Sequence, residues 1–189
     1  MSFRAWRLAG DRSGLPVGHY PRGVSEDAGN PYGFTDEQIA ALEARFRATP
    51  LHALLGLEFV VREVGHVVVT MPVRPEAFGS TGNLHGGAIA TLVDVATASA
   101  ASRSSSFVPG ENTLVTADLH LRYLGRPKGD LVRADARVVR AGRQLVVVEC
   151  KVLDPLDNII AVGDFAGMVV PLREPLLAGT EPDPGAPEL

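Results

Sequence analysis

Outside one interval, the chain from Leu57 to Val170 alternates apolar and polar residues with a period of two, the mark of half-buried strands. Val67, Val69, Met71 and Val73 share one parity and His66, Val68 and Thr70 the other, after a Val64-Gly65 turn, so a two-stranded hairpin is expected. Val115, Ala117, Leu119, Leu121 and Tyr123 alternate with Thr116, Asp118, His120 and Arg122 in a third strand. Val132, Ala134, Ala136 and Val138 alternate with Arg133, Asp135 and Arg137. After Ala141-Gly142, the set Val146, Val148, Cys150 and Val152 opposes Val147, Glu149 and Lys151. The short turns make these strands antiparallel neighbours. Asp154-Pro155-Leu156-Asp157 turns the chain again, and Ile159 to Val170 is apolar on both parities, as in a strand covered on both faces or lying at a subunit boundary.

Two segments have a helical period instead. Thr35-Asp36-Glu37-Gln38 fits a capping box, with Ile39, Leu42 and Phe46 on one face until Pro50, which predicts a helix near 36–48. Gly86 to Ala101 is rich in Ala and Leu, carries no charge except Asp94, and is small or apolar around nearly its whole circumference. That composition predicts a helix surrounded by protein. The expected fold is α+β, one long helix enclosed by an antiparallel sheet.

Composition bounds the rest. A chain of 189 residues, 46% hydrophobic and 21% charged, suits one globular domain. The folding unit is expected at about 35–172, preceded by an arm over 1–34 with six glycines and three prolines, and followed by a tail over 173–189 rich in Pro and acidic residues. Phe3, Trp6, Tyr20 and Tyr32 in the arm fit either contact with a partner subunit or partial disorder. Eighteen Lys+Arg against 22 Asp+Glu leave a net charge of −4, without the cationic excess of a nucleic-acid binder. One cysteine, Cys150, allows no internal disulfide and reads as a small core residue in a reducing compartment. No apolar run suggests a membrane span, so a soluble, cytoplasmic protein is expected. His19, His52, His66, His85 and His120 form no close pair, and no metal or redox cofactor is expected.

The chemistry concentrates on the long helix. An ionised carboxylate buried at Asp94 would cost several kcal/mol without a partner or a cavity, on the order expected for unpaired charge. Asp94 is therefore read as a general base or a nucleophile, with a purely structural hydrogen bond as the plainer alternative. In Gly82-Asn83-Leu84-His85-Gly86-Gly87, two glycines open the same helix. Unobstructed N–H groups and the positive end of the helix dipole suit an oxyanion, at on the order of 3 kcal/mol per donor; close helix packing is the competing explanation. Gly86 and Asp94 stand eight residues apart, about 12 Å along a helix, so one chain cannot bring both to one atom. A second subunit has to supply one of them. His85 shapes the turn or transfers a proton, but no Gly-x-Ser-x-Gly elbow and no phosphate-binding Gly-rich loop accompanies it.

These residues resemble the hotdog-fold acyl-CoA thioesterases, specifically the PaaI-like branch, over about 51–170. The likeness rests on Leu55-Gly56-Leu57, on Gly82-Asn83-Leu84-His85-Gly86-Gly87 running into Leu92-Val93-Asp94, on Thr116-Ala117-Asp118-Leu119, and on Gly142-Arg143. The resemblance implies a homodimer whose two sheets run together, commonly a dimer of dimers, with sites at the subunit interface. It implies that Gly86 N–H polarises a thioester carbonyl while Asp94 of the facing subunit activates water or attacks the carbonyl carbon. Thr116 matches a position that often carries a small hydroxyl near the site. Gly82, Asn83 and Gly87 would line the substrate, and Arg126, Lys128, Arg140 and Arg143, all expected in turns, would meet the CoA phosphates. One position departs from the pattern: Gly79 stands six residues before His85, where an Asn or Gln is usual. The expected function is hydrolysis of an acyl-CoA thioester, with a noncatalytic acyl-CoA-binding or regulatory hotdog protein as the alternative that Gly79 favours. A hotdog hydratase fits poorly, because no histidine follows Asp94 within the helix.

Overall fold

The protein, represented by a computed structural model, is described for residue 32 and for residues 34–104 and 107–172. The expected arm, apart from residues 32 and 34, and the whole of the expected tail lie outside the described residues. The elements are α1 (Asp36–Ala48), α2 (Pro50–Leu55), β1 (Glu58–Glu63), β2 (His66–Pro72), α3 (Gly86–Ser102), β3 (Asn112–Tyr123), β4 (Leu131–Ala141), β5 (Leu145–Leu153) and β6 (Ile159–Pro171). A short 3₁₀ turn, Pro75–Ala77, precedes α3. The six strands form one sheet in the order β1-β2-β4-β5-β6-β3, antiparallel throughout. The sheet curves about α3 in the α+β hotdog arrangement.

The core lies between α3 and the concave face of the sheet. Leu92, Val93, Ala96, Ala100 and Ala101 of α3 are fully enclosed, against Val67, Val69 and Met71 of β2, Val132, Ala134 and Ala136 of β4, Val146, Val148, Cys150 and Val152 of β5, and Phe165 of β6. Alanines along this stripe let the helix approach the valine-rich strands closely, and dispersion and burial hold the two layers. Cys150 sits in this core, where burial, assisted by the nearby Asp135 carboxylate, pushes its thiol far above the ordinary range.

Three expectations change. The contacting stripe of α1 is Ile39, Glu43 and Phe46, not Ile39, Leu42 and Phe46. Phe46 stacks at 4.2 Å on Phe59 and Glu43 pairs with Arg62 of β1, which turns Leu42 outward, half exposed. The capping box itself is present, with Thr35 and Gln38 each bonding the other's backbone. α3 is not enclosed all round in one chain: Ala90, Thr91, Asp94, Val95, Ala98 and Ser99 are only half-buried. Of the two readings for β6, cover on both faces is not met within one chain: its concave residues Ala161, Phe165, Gly167 and Val169 are buried while Asp164 and Met168 are exposed on the other face. The sheet is one layer thick, so its convex side faces away from the chain's own core.

Tyr32, placed by the sequence in the arm, meets its own chain. Its hydroxyl donates to the Ser102 carbonyl at the C-terminal end of α3, its ring lies edge-on to Phe107, and burial raises its pKa to about 12.

Candidate functional site

The site is built on α3 and on the strand beside it in space, β3, which forms an edge of the sheet. The strict alternation of the sequence would send Thr116 to the convex side with His120 and Arg122. A β-bulge between Thr116 and Asp118 breaks that parity. Leu114 therefore packs on the core from one side of the bulge, and Leu119 and Leu121 from the other. Thr116 turns to the concave face, where its Oγ1 donates to Asp94 Oδ1 at 3.0 Å. Among the described residues no Lys, Arg or His lies within ion-pair distance of the Asp94 carboxylate, and its second oxygen accepts no bond. Asp94 is half-buried on the open stripe of α3, so the deep burial expected from the sequence is not met within one chain.

Eight residues earlier the start of α3 is shaped by Gly82 to Gly87. Gly82, at φ +70°, turns the chain; Gly82 N–H donates to the Gly79 carbonyl at 3.0 Å and Gly79 N–H to the Asn83 carbonyl at 2.8 Å. Asn83 Nδ2 closes the same loop on the Thr81 carbonyl at 3.0 Å. His85 N–H donates to the Ala77 carbonyl at 2.8 Å, which anchors the loop to the 3₁₀ turn. The N-cap is His85 itself, its Nδ1 accepting from Gly87 N–H at 2.8 Å. With Nδ1 an acceptor, the ring proton sits on Nε2, on an exposed side chain. Ala88 and Ile89 N–H both donate to the His85 carbonyl, at 3.0 and 3.2 Å. Of the four N–H groups that open the helix, Gly86 N–H alone has no acceptor among the described residues. It is the donor available to a carbonyl oxygen.

One feature was not singled out in the sequence. Tyr123, at the end of β3, donates through its hydroxyl to the Gly86 carbonyl at 3.0 Å. Its ring also lies alongside Gly86, where a Cβ would make ordinary contact at 3.4 Å from Tyr123 Cζ. The only sequence signal was an aromatic closing the third strand. At Gly79, which the sequence marked as a departure, a Cβ would stand 3.2 Å from His85 Cδ2, so the missing Asn or Gln is space against which the His85 ring lies.

The expected cations separate. Arg126 and Lys128 lie between β3 and β4, beyond Tyr123 and so at the helix-start end, both exposed. Lys128 N–H is held by Asp154 Oδ2 at 3.0 Å. Asp154 is buried, which would raise its pKa, but bonds from Asn158 and from the N–H groups of Lys128, Asn158 and Leu156 outweigh this and hold it at about 2. Arg143 is at the opposite end, in the β4–β5 turn near the C-terminal end of α3, where Gly65 joins Val138 to Arg103. Arg140 is not in a turn; it lies within β4 beside a bulge. One chain thus gathers Gly82, Asn83, His85, Gly86, Gly87, Arg126 and Lys128 at one end and leaves Asp94 with Thr116 midway along the helix. No three His, Cys, Asp or Glu side chains among the described residues form a metal-binding group, and no helix there is long and apolar enough to cross a membrane.

A long helix in a curved antiparallel sheet is the hotdog architecture, and the free N–H at its start and the hydroxyl-supported carboxylate along it are groups that suit hydrolysis at a carbonyl. Comparison with known proteins agrees. The model of the thioesterase superfamily matches residues 81–160. A protein of Halobacterium salinarum that bears the name "Putative esterase" is 43% identical over 126 residues, 65% of this chain and 82% of its own length. Among solved structures, a thioesterase from Haemophilus influenzae superposes with a TM-score of 0.64 at 23% identity, over 76% of this chain and 95% of its own. The Escherichia coli PaaI protein of the phenylacetic acid degradation operon gives 0.60 at 22%, over 71% and 92%. The chain belongs to the thioesterase superfamily.

Proposed function

We propose that the protein hydrolyses an acyl-CoA thioester to a free carboxylic acid and CoA, as a PaaI-like member of its superfamily and as a homo-oligomer built from dimers. The observation that carries this reading is the separation along α3. The free Gly86 N–H and the Asp94 carboxylate lie eight residues, about 12 Å, apart on one straight helix. A single thioester cannot touch both within one chain. The twelve-residue β3 has a partner strand on one side only, and such an open edge is a template for pairing with a second copy. Two β3 edges pair in this reading, and Asp94 of one copy serves the thioester held at Gly86 of the other.

In this reading the thioester oxygen accepts from Gly86 N–H, and the helix dipole stabilises the charge that develops there. Thr116 holds one oxygen of Asp94. The other takes a proton from water as the water oxygen adds to the carbonyl carbon; the C–S bond then breaks and the proton passes to the departing sulfur. Gly82, Asn83, His85 and Gly87 form the wall beside the reacting group. Arg126 and Lys128 meet CoA phosphates at the helix-start end, and Arg143 comes from the partner subunit. The acid, the thiol and an unchanged Asp94 are the products of one turnover.

The test is release of free thiol from short, long and aromatic acyl-CoAs by the wild type and by Asp94→Asn, with the mass of both in solution. Turnover that falls about 10²-fold or more in an intact oligomeric variant supports the reading. A single turnover in oxygen-18 water labels the acid product if Asp94 acts as base, and labels Asp94 if it is the nucleophile. One observation favours a second reading: position 79 offers no polar side chain beside His85. Saturable acyl-CoA binding with no thiol released would replace hydrolysis by noncatalytic binding.

A further inference from the structure

The peptide joining Gly86 to Gly87 is held at both ends by side chains. Its N–H donates to His85 Nδ1 at 2.8 Å, and its carbonyl accepts from Tyr123 OH at 3.0 Å. The adjoining peptide, joining His85 to Gly86, has its carbonyl tied to Ala88 and Ile89 N–H. Gly86 is the hinge between these two peptides, and without a Cβ it has the widest torsional freedom of any residue. Three of the four polar groups around it are engaged. The fourth, Gly86 N–H, is the one left to face a ligand. Tyr123 reaches the Gly86 carbonyl from another element, and its ring lies within contact distance of where a Gly86 Cβ would stand.

We propose that Tyr123 is a positioning residue of the hydrolytic site, which by holding the Gly86 carbonyl sets the direction in which Gly86 N–H meets the thioester oxygen. The inference rests on the reading of Gly86 as oxyanion donor. Its reason is geometric: stabilisation by a donor depends on the donor's aim at the place where charge develops, not on its mere presence. Without the hydroxyl the Gly86–Gly87 peptide keeps its bond to His85 and its place in the helix but loses the bond that fixes its carbonyl from β3. Tyr123 and Thr116 thus do parallel work from one strand, each bonding one end of the pair of groups on α3. Tyr123 is 53% exposed, so the ring also presents an open flank at the helix-start end, beside Arg126 and Lys128 in sequence.

The decisive variant is Tyr123→Phe, which keeps the ring and removes the hydroxyl. With the acyl-CoA that the wild type turns over fastest, kcat is expected to fall about tenfold while KM changes less than twofold. Affinity for a non-hydrolysable thioether analogue of that acyl-CoA should be unchanged. Leu121→Ala, on the same face of β3 but away from Gly86, serves as the control for general loosening. Tyr123→Phe with wild-type kcat overturns the proposal, as does a loss shared equally by Leu121→Ala. A loss confined to KM and analogue affinity also overturns it, by making Tyr123 a substrate contact instead. Wild-type protein that releases no thiol, or Asp94→Asn that works normally, overturns the underlying reading, a result distinct from any of these.

Discussion

Thr116 Oγ1 donates to Asp94 Oδ1 at 3.0 Å, a bond that exists only because a β-bulge reverses the parity of β3 between Thr116 and Asp118. The bond holds one carboxylate oxygen and leaves the other open. Thr116→Val keeps the shape and loses the donor, and a hydrogen bond to a charged group contributes about 1.5–3 kcal/mol. Thiol release should fall by about tenfold or more in Thr116→Val and recover in Thr116→Ser. Steady-state kinetics on the three proteins checks this; equal rates in all would remove Thr116 from the site.

His85 is both cap and wall. Its Nδ1 satisfies Gly87 N–H, so His85→Ala leaves that donor to water and should cost about 1 kcal/mol of stability, the usual size of an N-cap. His85→Asn, which restores an acceptor in a preferred N-cap residue, should lose less. Urea midpoints of the two variants decide it, with the order reversed if the cap is not what His85 supplies.

Asp154 governs behaviour in acid. Desolvation pushes its pKa up, yet the four donor groups that bond its carboxylate push harder, so the folded state holds it at about 2, below the roughly 4 of a free aspartate. A depressed folded pKa stabilises the protein above the unfolded value and loses that effect as pH falls from about 4 towards 2. The urea midpoint of the wild type should therefore drop across this window, and Asp154→Asn should show a shallower drop from a lower starting point. An unchanged slope in the variant would assign the acid sensitivity to other carboxylates. Arg126 and Lys128 share the loop that Asp154 anchors, so KM for acyl-CoA should rise in the same variant.

Gly163 of β6 pairs with Leu121 of the neighbouring β3. A Cβ there would meet Leu121 Cδ2 at 2.6 Å and the His120 carbonyl at 3.0 Å. Gly163→Ala forces the Leu121 side chain aside and presses on the His120 carbonyl of β3, and overpacking of this kind costs about 1–3 kcal/mol. Because β3 carries Thr116 and Tyr123, activity should fall further than stability alone explains, which kinetics well below the melting temperature would show.

Cys150 should be silent. Burial, and next the negative charge of Asp135, keep its thiol protonated. An aromatic disulfide reagent at pH 8 should find no thiol in the native protein and one in the unfolded chain. Rapid native reaction would mean that β5 opens or that the core is not packed as described.

Much of this was legible along the chain. Period-two runs with short turns give antiparallel strands whatever their partners, and the Gly-Gly start of an uncharged, alanine-rich run gives a helix fit for the middle of a sheet. Asp94 stood out because it is the single charge in that run, and Gly86 because two glycines open it. The carboxylate and the helix start could even be kept apart on one chain, since the rise of an α-helix is the same in every sequence.

The tertiary structure decided what periodicity cannot carry. A bulge is a mismatch between two strands, invisible in either alone, and it moved Thr116 from the outer face to Asp94. The bond from Tyr123 to Gly86 joins residues 37 positions apart, and only the packing of the edge strand on the helix brings them together. The exposure of Asp94 and the division of Arg126 and Lys128 from Arg143 follow from the same cause. Local sequence sets which element a residue joins and which way neighbouring residues alternate. Which side chains then meet depends on register and on the layer opposite, and those are settled only when the whole sheet closes over the helix.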